Sequence, residues 1–272
     1  MLIDKRDILR LSADVRRIID GQDVDLRDNR EGPFSMLKND IHTLADLKNE
    51  QVGALRRDKA TLKHTLADIS HQLKTPLTSM MIMADLLEGA PPEKQAEFIA
   101  NIRTSLVRTE WLVSVLLKMA KLDAGMVQFS RESVPAGALA GLALEPLQVL
   151  LDLKNQSIAI SGDAGLPCDR RWTAEALTNV IKNASEHSPD NETIRIESGE
   201  NPICAWISVT DSGGGMSNAE IARIFKRFEG SRNETGYGIG LPLALAIMRG
   251  QNGDIQAENT GSGAMFTLKF FK

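Results

Sequence analysis

A regular apolar repeat between residues 62 and 87 constrains the fold of this chain more than any other feature. Its members are separated by alternating steps of four and three residues: Leu62, Leu66, Ile69, Leu73, Pro76, Met80, Met83 and Leu87. This heptad spacing places apolar side chains along one seam of an α-helix. The sequence Gly89-Ala90-Pro91-Pro92 interrupts it, and a similar register then runs from Ile99 to about Asp123. We therefore predict a helical hairpin over residues 59–124, completed as a four-helix bundle in a homodimer, because one hairpin cannot bury both seams.

The segment before the hairpin has a shorter helical pattern. Apolar residues recur at Ile8, Leu11, Val15 and Ile18, and again at Leu37, Ile41 and Leu44. The polar stretch from Gly21 to Gly32 predicts an exposed connector between two helices. A helix, a connector and a second helix resemble a HAMP-type signal relay. Residues 1–58 are predicted to form such a relay or, as the alternative, a helical linker that serves dimerisation alone.

Beyond Gly125 the pattern changes to short apolar strands mixed with helices. The strands are predicted over residues 127–130, 157–161, 193–198, 205–211, 254–258 and 264–270. The helices are predicted over residues 136–153, 171–187 and 241–249. Residues 125–272 are thus expected to form a second domain, which gives the chain an α + α/β fold class.

Composition excludes several classes of protein. A net charge of −4 provides no basic stripe for a nucleic-acid partner. Cys168 and Cys204 form no CxxC pair, so two reduced thiols in the cytosol are expected. The richest apolar stretch, residues 138–151, is broken by Glu145 and Pro146, so no membrane-spanning segment is predicted.

His71 is the first candidate for chemistry. With Leu73 at position a and Pro76 at position d of the heptad, His71 falls at position f, which faces water. A neutral imidazole there is a competent nucleophile near pH 7. Thr75 lies four residues on and shares its face, where the hydroxyl can orient a water or a phosphoryl group. The alternative is a solvated surface histidine, since His64 occupies the same heptad position one repeat earlier.

Pro76 strengthens the case that this helix is not built for packing alone. A proline removes a backbone N–H and costs about 3 kcal/mol in a helix interior. Placed one turn after His71 on a heptad seam, it loosens the helix beside the candidate nucleophile.

Two motifs in the second domain suit a metal and a planar ligand. Asn179 and Asn183 lie four apart on one helical face and can offer amide oxygens to Mg²⁺ and N–H groups to phosphates. Asp211 follows an apolar strand and precedes Gly213 and Gly215, which lets a ring approach the backbone while the carboxylate accepts from an amine. The alternatives are surface asparagines and an ordinary turn.

A third motif suits phosphates. Gly236, Gly238 and Gly240 precede the predicted helix over residues 241–249. Glycines before a helix N-terminus present free N–H groups and the positive end of the helix dipole. The run does not follow a strand in a βαβ unit, which argues against a Rossmann site.

Together these motifs resemble those of bacterial sensor histidine kinases. The octapeptide from Ser70 to Leu77 resembles their phosphoacceptor box. The later motifs, with Phe225-Lys-Arg-Phe228 between the second and third, resemble the N, G1, F and G2 boxes of a GHKL-type (Bergerat) α/β-sandwich domain. Histidine kinases share that ATP-binding domain with gyrase-type topoisomerases and heat-shock chaperone ATPases. The resemblance covers about residues 60 to 272.

The resemblance implies a role for each motif residue. Asn183 holds Mg²⁺, Asp211 binds the adenine amino group of ATP, and Arg232 contacts the γ-phosphate from a short lid. The implied nucleotide-binding residues are Asn179, Asn183, His187, Asp211, Gly213, Gly215, Arg232, Gly236, Gly238 and Gly240. The catalytic group is His71 with Gln72 and Thr75.

The implied activity is autophosphorylation of His71 from Mg-ATP and transfer of the phosphoryl group to an Asp of a response regulator. Gln72 and Thr75 are expected to support dephosphorylation of the regulator. Gln72 replaces the usual acidic residue, and Glu186 stands where a basic residue is usual, which leaves a phosphatase-dominant or weakly active member as the alternative. An ATPase of another GHKL class and a non-enzymatic dimeric scaffold are further alternatives.

The resemblance also implies partners and a location. The partners are a response-regulator receiver domain and a second copy of the chain, without nucleic acid. The chain is expected to be the cytoplasmic portion of a sensor in the inner or plasma membrane, attached through a segment missing from this chain.

Overall fold

A computed structural model describes residues 4–22, 24–27, 32–229 and 238–272, with the backbone alone at positions 57, 58, 61 and 62. The helices are α1 (Lys5–Ile19), α2 (Pro33–Leu87), α3 (Pro92–Asp123), α4 (Ala136–Leu144), α5 (Gln148–Leu153), α6 (Arg170–His187), α7 (Asn218–Ile221) and α8 (Gly240–Gly250). The strands are β1 (Glu132–Pro135), β2 (Ser157–Ser161), β3 (Gly165–Cys168), β4 (Thr193–Glu200), β5 (Cys204–Thr210), β6 (Gly253–Asn259) and β7 (Ala264–Phe271). The chain divides into two compact units, residues 1–70 and 71–272.

The first unit contains α1, the connector and the first part of α2. Asp4 caps α1, since its side chain accepts a hydrogen bond from the Arg6 N–H. The prediction of an exposed connector is wrong at Leu26, which is 5% exposed. Arg27 donates hydrogen bonds to the Asp25 carboxylate, two residues earlier, and holds the pKa of that carboxyl below its usual range.

The long helix α2 crosses residues 58 and 59 without a break, and it continues through Pro76. The predicted turn then ends it, and α3 begins at Pro92, where a missing N–H costs nothing because the first turn has no acceptor for it. Gln95 closes the turn by donating to the carbonyl of Ala90 at 2.9 Å. The helical hairpin is confirmed, whereas the domain boundaries at 58/59 and 124/125 stay predictions.

The remainder of the second unit is a mixed sheet with helices packed against it. The five-stranded sheet has the order β2-β4-β5-β7-β6, with β2 and β4 parallel and the other pairs antiparallel. Strands β1 and β3 form a separate antiparallel pair. Buried and partly buried residues alternate along β7, with Phe266, Leu268 and Phe270 facing the core. The predicted α/β domain is confirmed.

Helix α6 is the central element of this domain. The Asp169 side chain caps its N-terminus by accepting from the N–H groups of Arg171 and Trp172. The helix contacts α4, α8, β4 and β5. Its fully buried apolar residues are Ala176, Leu177, Val180, Ile181 and Ala184.

Two details of the predicted secondary structure are wrong. Residues 127–130 are not a strand, because the strand in this region lies later, at Glu132–Pro135, where β3 supplies its partner. The predicted helix over residues 136–153 is divided by a 3₁₀ turn at Glu145–Leu147, where Pro146 removes a backbone donor.

That divided segment has the length and apolar composition of a membrane span. Ala136–Leu153 has a mean hydropathy of 1.4 and is the one such candidate in the part of the chain that the structure describes. The prediction that no segment spans a membrane stays a prediction, because the core helix of a folded domain can have the same length and composition. Its buried residues, among them Leu139, Ala140 and Ala143, belong to the core of the second unit.

Truncation of the α6 core should destabilise the second unit strongly. Leu177→Ala removes a fully buried side chain, so the free energy of unfolding should fall by about 2–5 kcal/mol. Urea denaturation followed by circular dichroism measures the change. The control Val149→Ala alters a side chain that is 73% exposed and should change stability by less than about 0.5 kcal/mol. Equal losses in both variants would contradict the assigned core.

Candidate functional site

His71 lies on the exposed surface of α2. The Thr75 hydroxyl donates to the His71 carbonyl at 3.2 Å, so in this structure it does not point its proton at the imidazole. Pro76 has no N–H and leaves the carbonyl of the half-buried Gln72 without its helical donor. The structure therefore confirms the exposure of His71, while the roles of His71, Gln72 and Thr75 stay predictions.

Asn179 connects α6 to the beginning of α8. Its Nδ2 donates to the Glu175 carbonyl at 2.9 Å. Its Oδ1 lies 2.9 Å from the point that a Cβ on Gly240 would occupy. Two of the predicted motifs thus meet here, because Gly240 has no side chain to separate the helices.

Asn183 is half-buried one turn further along α6. No hydrogen bond of its side chain occurs within the described ranges. A carboxamide oxygen that remains available at the edge of a core is a suitable ligand for Mg²⁺, which binds oxygen while it keeps waters and phosphates. The described residues include no cluster of three or more His, Cys, Asp or Glu side chains suited to a metal ion.

Asp211 is the most buried of the predicted site residues that the structure describes, at 4% exposure. Its Oδ1 accepts hydrogen bonds from the N–H groups of Gly213 and Ala264, each at 2.9 Å. Oδ2 makes no hydrogen bond to any residue that the structure describes. The carboxylate is therefore oriented by one oxygen and can accept from a ligand amine with the other.

The glycines after Asp211 permit close contacts. A Cβ on Gly213 would lie 2.8 Å from the carbonyl oxygen of His187, at the end of α6. Gly215 has φ +81°, a left-handed conformation that favours glycine. Beside it, the Asn259 side chain makes two hydrogen bonds to the backbone of Met216, at 2.7 and 2.6 Å. The Asp211 motif and the α6 motif are thus in contact, and the His187 side chain is exposed.

Gly238 contacts the last residue of the predicted F box. The Phe228 N–H donates to the Gly238 carbonyl at 3.0 Å, and both residues have positive φ, +61° and +63°. Gly236 and Arg232, which were predicted to contact the phosphates, lie outside the described residues.

Glu186, the unexpected carboxylate, is paired within its own helix. The Lys182 Nζ lies 3.7 Å from its Oε1. The same Nζ lies over the Trp111 ring of α3, 5.4 Å from the centroid. The charge of Glu186 is therefore partly compensated, which weakens the argument for a low-activity protein.

Cys168 is not a candidate nucleophile. Burial raises the pKa of its thiol to about 11, so the thiol stays protonated near pH 7. Cys168 and Cys204 are both free and buried.

Sequence reasoning missed several residues that shape the site: Trp111, Glu175, Lys182, Asn259 and Gly263. A Cβ on Gly263 would lie 2.1 Å from the Asp211 carbonyl oxygen. The sequence signal was present for Lys182, which is four residues before Glu186 and on its face. No local signal pairs Gly263 with Asp211, because the contact forms across β5 and β7.

Comparison with known families agrees with this geometry. The family model of the His Kinase A (phospho-acceptor) domain matches residues 61–125. The model of the histidine kinase-, DNA gyrase B- and HSP90-like ATPase matches residues 168–272. Together the matches cover more than half of the chain, which therefore carries a phospho-acceptor domain followed by an ATPase domain.

Similar proteins include sensor histidine kinases. The chain is 30% identical over 220 residues to the sensor histidine kinase WalK of Bacillus subtilis (strain 168), covering 75% of this chain and 36% of WalK. The solved histidine kinase ThkA, in complex with response regulator protein TrrA, has a TM-score of 0.66 at 21% identity, covering 83% of this chain and 66% of ThkA. Full-length ShkA in complex with AMPPNP has a TM-score of 0.56 at 25% identity, covering 76% of this chain and 45% of ShkA.

The chain belongs to the sensor histidine kinase family. It spans 36% to 56% of the length of the curated relatives it matches.

Alanine at Gly263 should displace Asp211. The new Cβ would lie 2.1 Å from the Asp211 carbonyl oxygen and 2.6 Å from its Oδ1, and such overpacking should lower the free energy of unfolding by about 1–3 kcal/mol. Urea denaturation measures the effect. Gly261→Ala is the matched control, because a Cβ there meets nothing within 4 Å. A Gly263→Ala protein as stable as this control would show that the close approach is wrong.

Proposed function

We propose that this chain is a protein-histidine kinase that transfers the γ-phosphoryl group of ATP to His71. The observation that carries the proposal is the exposed His71 in the phospho-acceptor domain of a chain that also contains the ATPase domain. A scaffold that only dimerises would not need the oriented carboxylate of Asp211. An ATPase of another class would not need an exposed histidine followed by a proline on a helical seam.

In the proposed reaction, a ring nitrogen of neutral His71 attacks the γ-phosphorus. A P–N bond forms, the P–O bond to the β-phosphate breaks, and ADP leaves with the electron pair. Asp211 would accept from the adenine amino group through Oδ2, and the N–H groups at Gly238 and Gly240 would face the phosphates at the beginning of α8. Catalysis of this kind depends mainly on positioning and charge neutralisation.

Mg²⁺ is the proposed metal, with Asn183 as its protein ligand and Asn179 close to the phosphates. The ion would neutralise charge on the phosphates and help to align them. The half-buried Asn183 carboxamide supports this assignment, since no hydrogen bond within the described ranges uses it. The proposal extends to His187 near the sugar and to Arg232 and Gly236 beside the phosphates.

The proposed acceptor of the phosphoryl group is an Asp of a response-regulator receiver domain. Support comes from the similar kinase ThkA, which was solved in complex with response regulator protein TrrA. Thr75 and Gln72 border His71 on the same helix and are proposed to assist the reverse dephosphorylation of the regulator. A homodimer through the hairpin is proposed because apolar side chains such as Leu106 and Leu117 are more than half exposed in the single chain.

The proposed place of action is the cytoplasm, where ATP is available and free thiols such as Cys168 and Cys204 persist. Residues 1–58 are proposed to relay a stimulus to the hairpin, by biasing two arrangements of the bundle.

Incubation with γ-labelled ATP and Mg²⁺ tests the phosphorylation site. The wild-type chain should retain acid-labile label, and His71→Gln should abolish it, because glutamine offers no comparable nucleophile. The matched control is His64→Gln, which alters another exposed histidine of the same helix and should retain label. Label on the His71→Gln protein would overturn the assignment of His71.

Asp211→Asn tests the adenine contact separately. An amide at this position replaces an acceptor with a donor in front of the adenine amino group, so the affinity for AMPPNP should fall at least about tenfold. Titration calorimetry measures the affinity without turnover. Asp152→Asn, at an exposed position of α5, is the control with the same loss of charge. Equal affinities for both variants would contradict the role of Asp211.

A further inference from the structure

The Lys182 side chain extends from α6 and contacts α3 in the second unit. Its Nζ lies over the Trp111 ring of α3, 5.4 Å from the centroid, and 3.7 Å from Oε1 of Glu186 on its own helix. The Lys182 side chain is 43% exposed, so it can change partners. An ammonium over a tryptophan ring is stabilised electrostatically, and the attraction increases as the ammonium loses water.

A second contact joins the same face of α6 to α3. Lys118 of α3 donates to both carboxylate oxygens of Glu175, at 2.5 and 2.7 Å. The backbone carbonyl of Glu175 accepts from Asn179, which follows it by one turn. Because positions 175, 179, 182 and 186 are separated by four, three and four residues, they share one face of α6. Helix α3 therefore contacts the α6 face that carries Asn179.

This face also borders the proposed phosphate site. Asn179 lies against Gly240 at the N-terminus of α8, and Asn183, the proposed magnesium ligand, directly follows Lys182. The phosphates of ATP would be repelled by Glu186 unless a cation stood close by. Lys182 can provide that cation, because its flexible stem lets the ammonium move without a change in the backbone.

On the basis of the proposed function, we propose that the ammonium of Lys182 binds the phosphates of the nucleotide. The Trp111 ring of α3 competes with the nucleotide for this ammonium. While the ATPase domain packs on α3, the Trp111 ring holds the ammonium. When the domain leaves α3, the ammonium, which already lies beside Glu186, binds the phosphates. Nucleotide binding and packing on α3 are then negatively coupled, and each weakens the other by the same factor.

Titration of the chain, residues 1–272, with AMPPNP and Mg²⁺ in a calorimeter tests the proposal without turnover. Lys182→Gln should weaken binding about tenfold, as expected for the loss of a charged hydrogen bond. Lys182→Arg should stay within about threefold of wild type, because it keeps the charge. Trp111→Leu should strengthen binding about two- to tenfold, because it removes the competing cation–π contact.

The double variant Trp111→Leu/Lys182→Gln tests whether Lys182 is the residue that couples nucleotide binding to packing on α3. In the Lys182→Gln background, Trp111→Leu should leave the affinity unchanged, since no ammonium remains to be released. Arg171→Gln is the matched control: it removes an exposed positive charge from the first turn of α6 and should leave the affinity within twofold of wild type. Urea denaturation of each variant confirms that the second unit is folded.

Several results would overturn this inference. A Lys182→Gln protein that binds AMPPNP as tightly as wild type would show that Lys182 does not contact the phosphates. Weaker binding by Trp111→Leu would show that α3 supports the site instead of competing with it. Failure of the proposed function would give different results from failure of this inference. The wild-type chain would then bind no AMPPNP, or the His71→Gln variant would retain label.

Discussion

Burial of one face of α6 is the interaction on which the rest of the ATPase domain depends. Five apolar residues of this helix are 0% exposed, namely Ala176, Leu177, Val180, Ile181 and Ala184. Because they fix the rotation of the helix about its axis, the other faces are fixed as well. Asn179, Lys182 and Asn183 are consequently held at the edge of the core, and α8 and the Asp211 loop are positioned against them.

Close backbone contacts then assemble the site from distant segments. Asn179 meets Gly240, His187 meets Gly213, and Asp211 meets Gly263, at separations that leave no space for a Cβ. The glycines therefore matter for contact as much as for conformational freedom. The hydrogen bond from the Ala264 N–H orients the Asp211 carboxylate, and it would be lost if β5 and β7 changed register.

Helix α3 belongs to both the hairpin and the core of the ATPase domain. Leu112, Val115 and Met119 are buried in the same apolar cluster as α6 and α8. Around them lie polar contacts, including the pair of Asp123 and Arg227 at 2.8 Å. Such partly exposed ion pairs contribute only about 0–1 kcal/mol each. The interface thus combines apolar burial with weak polar contacts.

The sequence by itself determined the hairpin, the order of the domains and most strands, because heptad spacing and apolar alternation are local signals. It also indicated Asp211, Asn183 and His71, whose motifs are short and contiguous. Only the tertiary structure decided that Leu26 is buried and that residues 127–130 are not a strand, since burial and strand pairing both depend on partners elsewhere in the chain. The contacts of Lys182 with Trp111 and of Gly263 with Asp211 join segments far apart in the chain, and no local sequence pattern predicts such contacts.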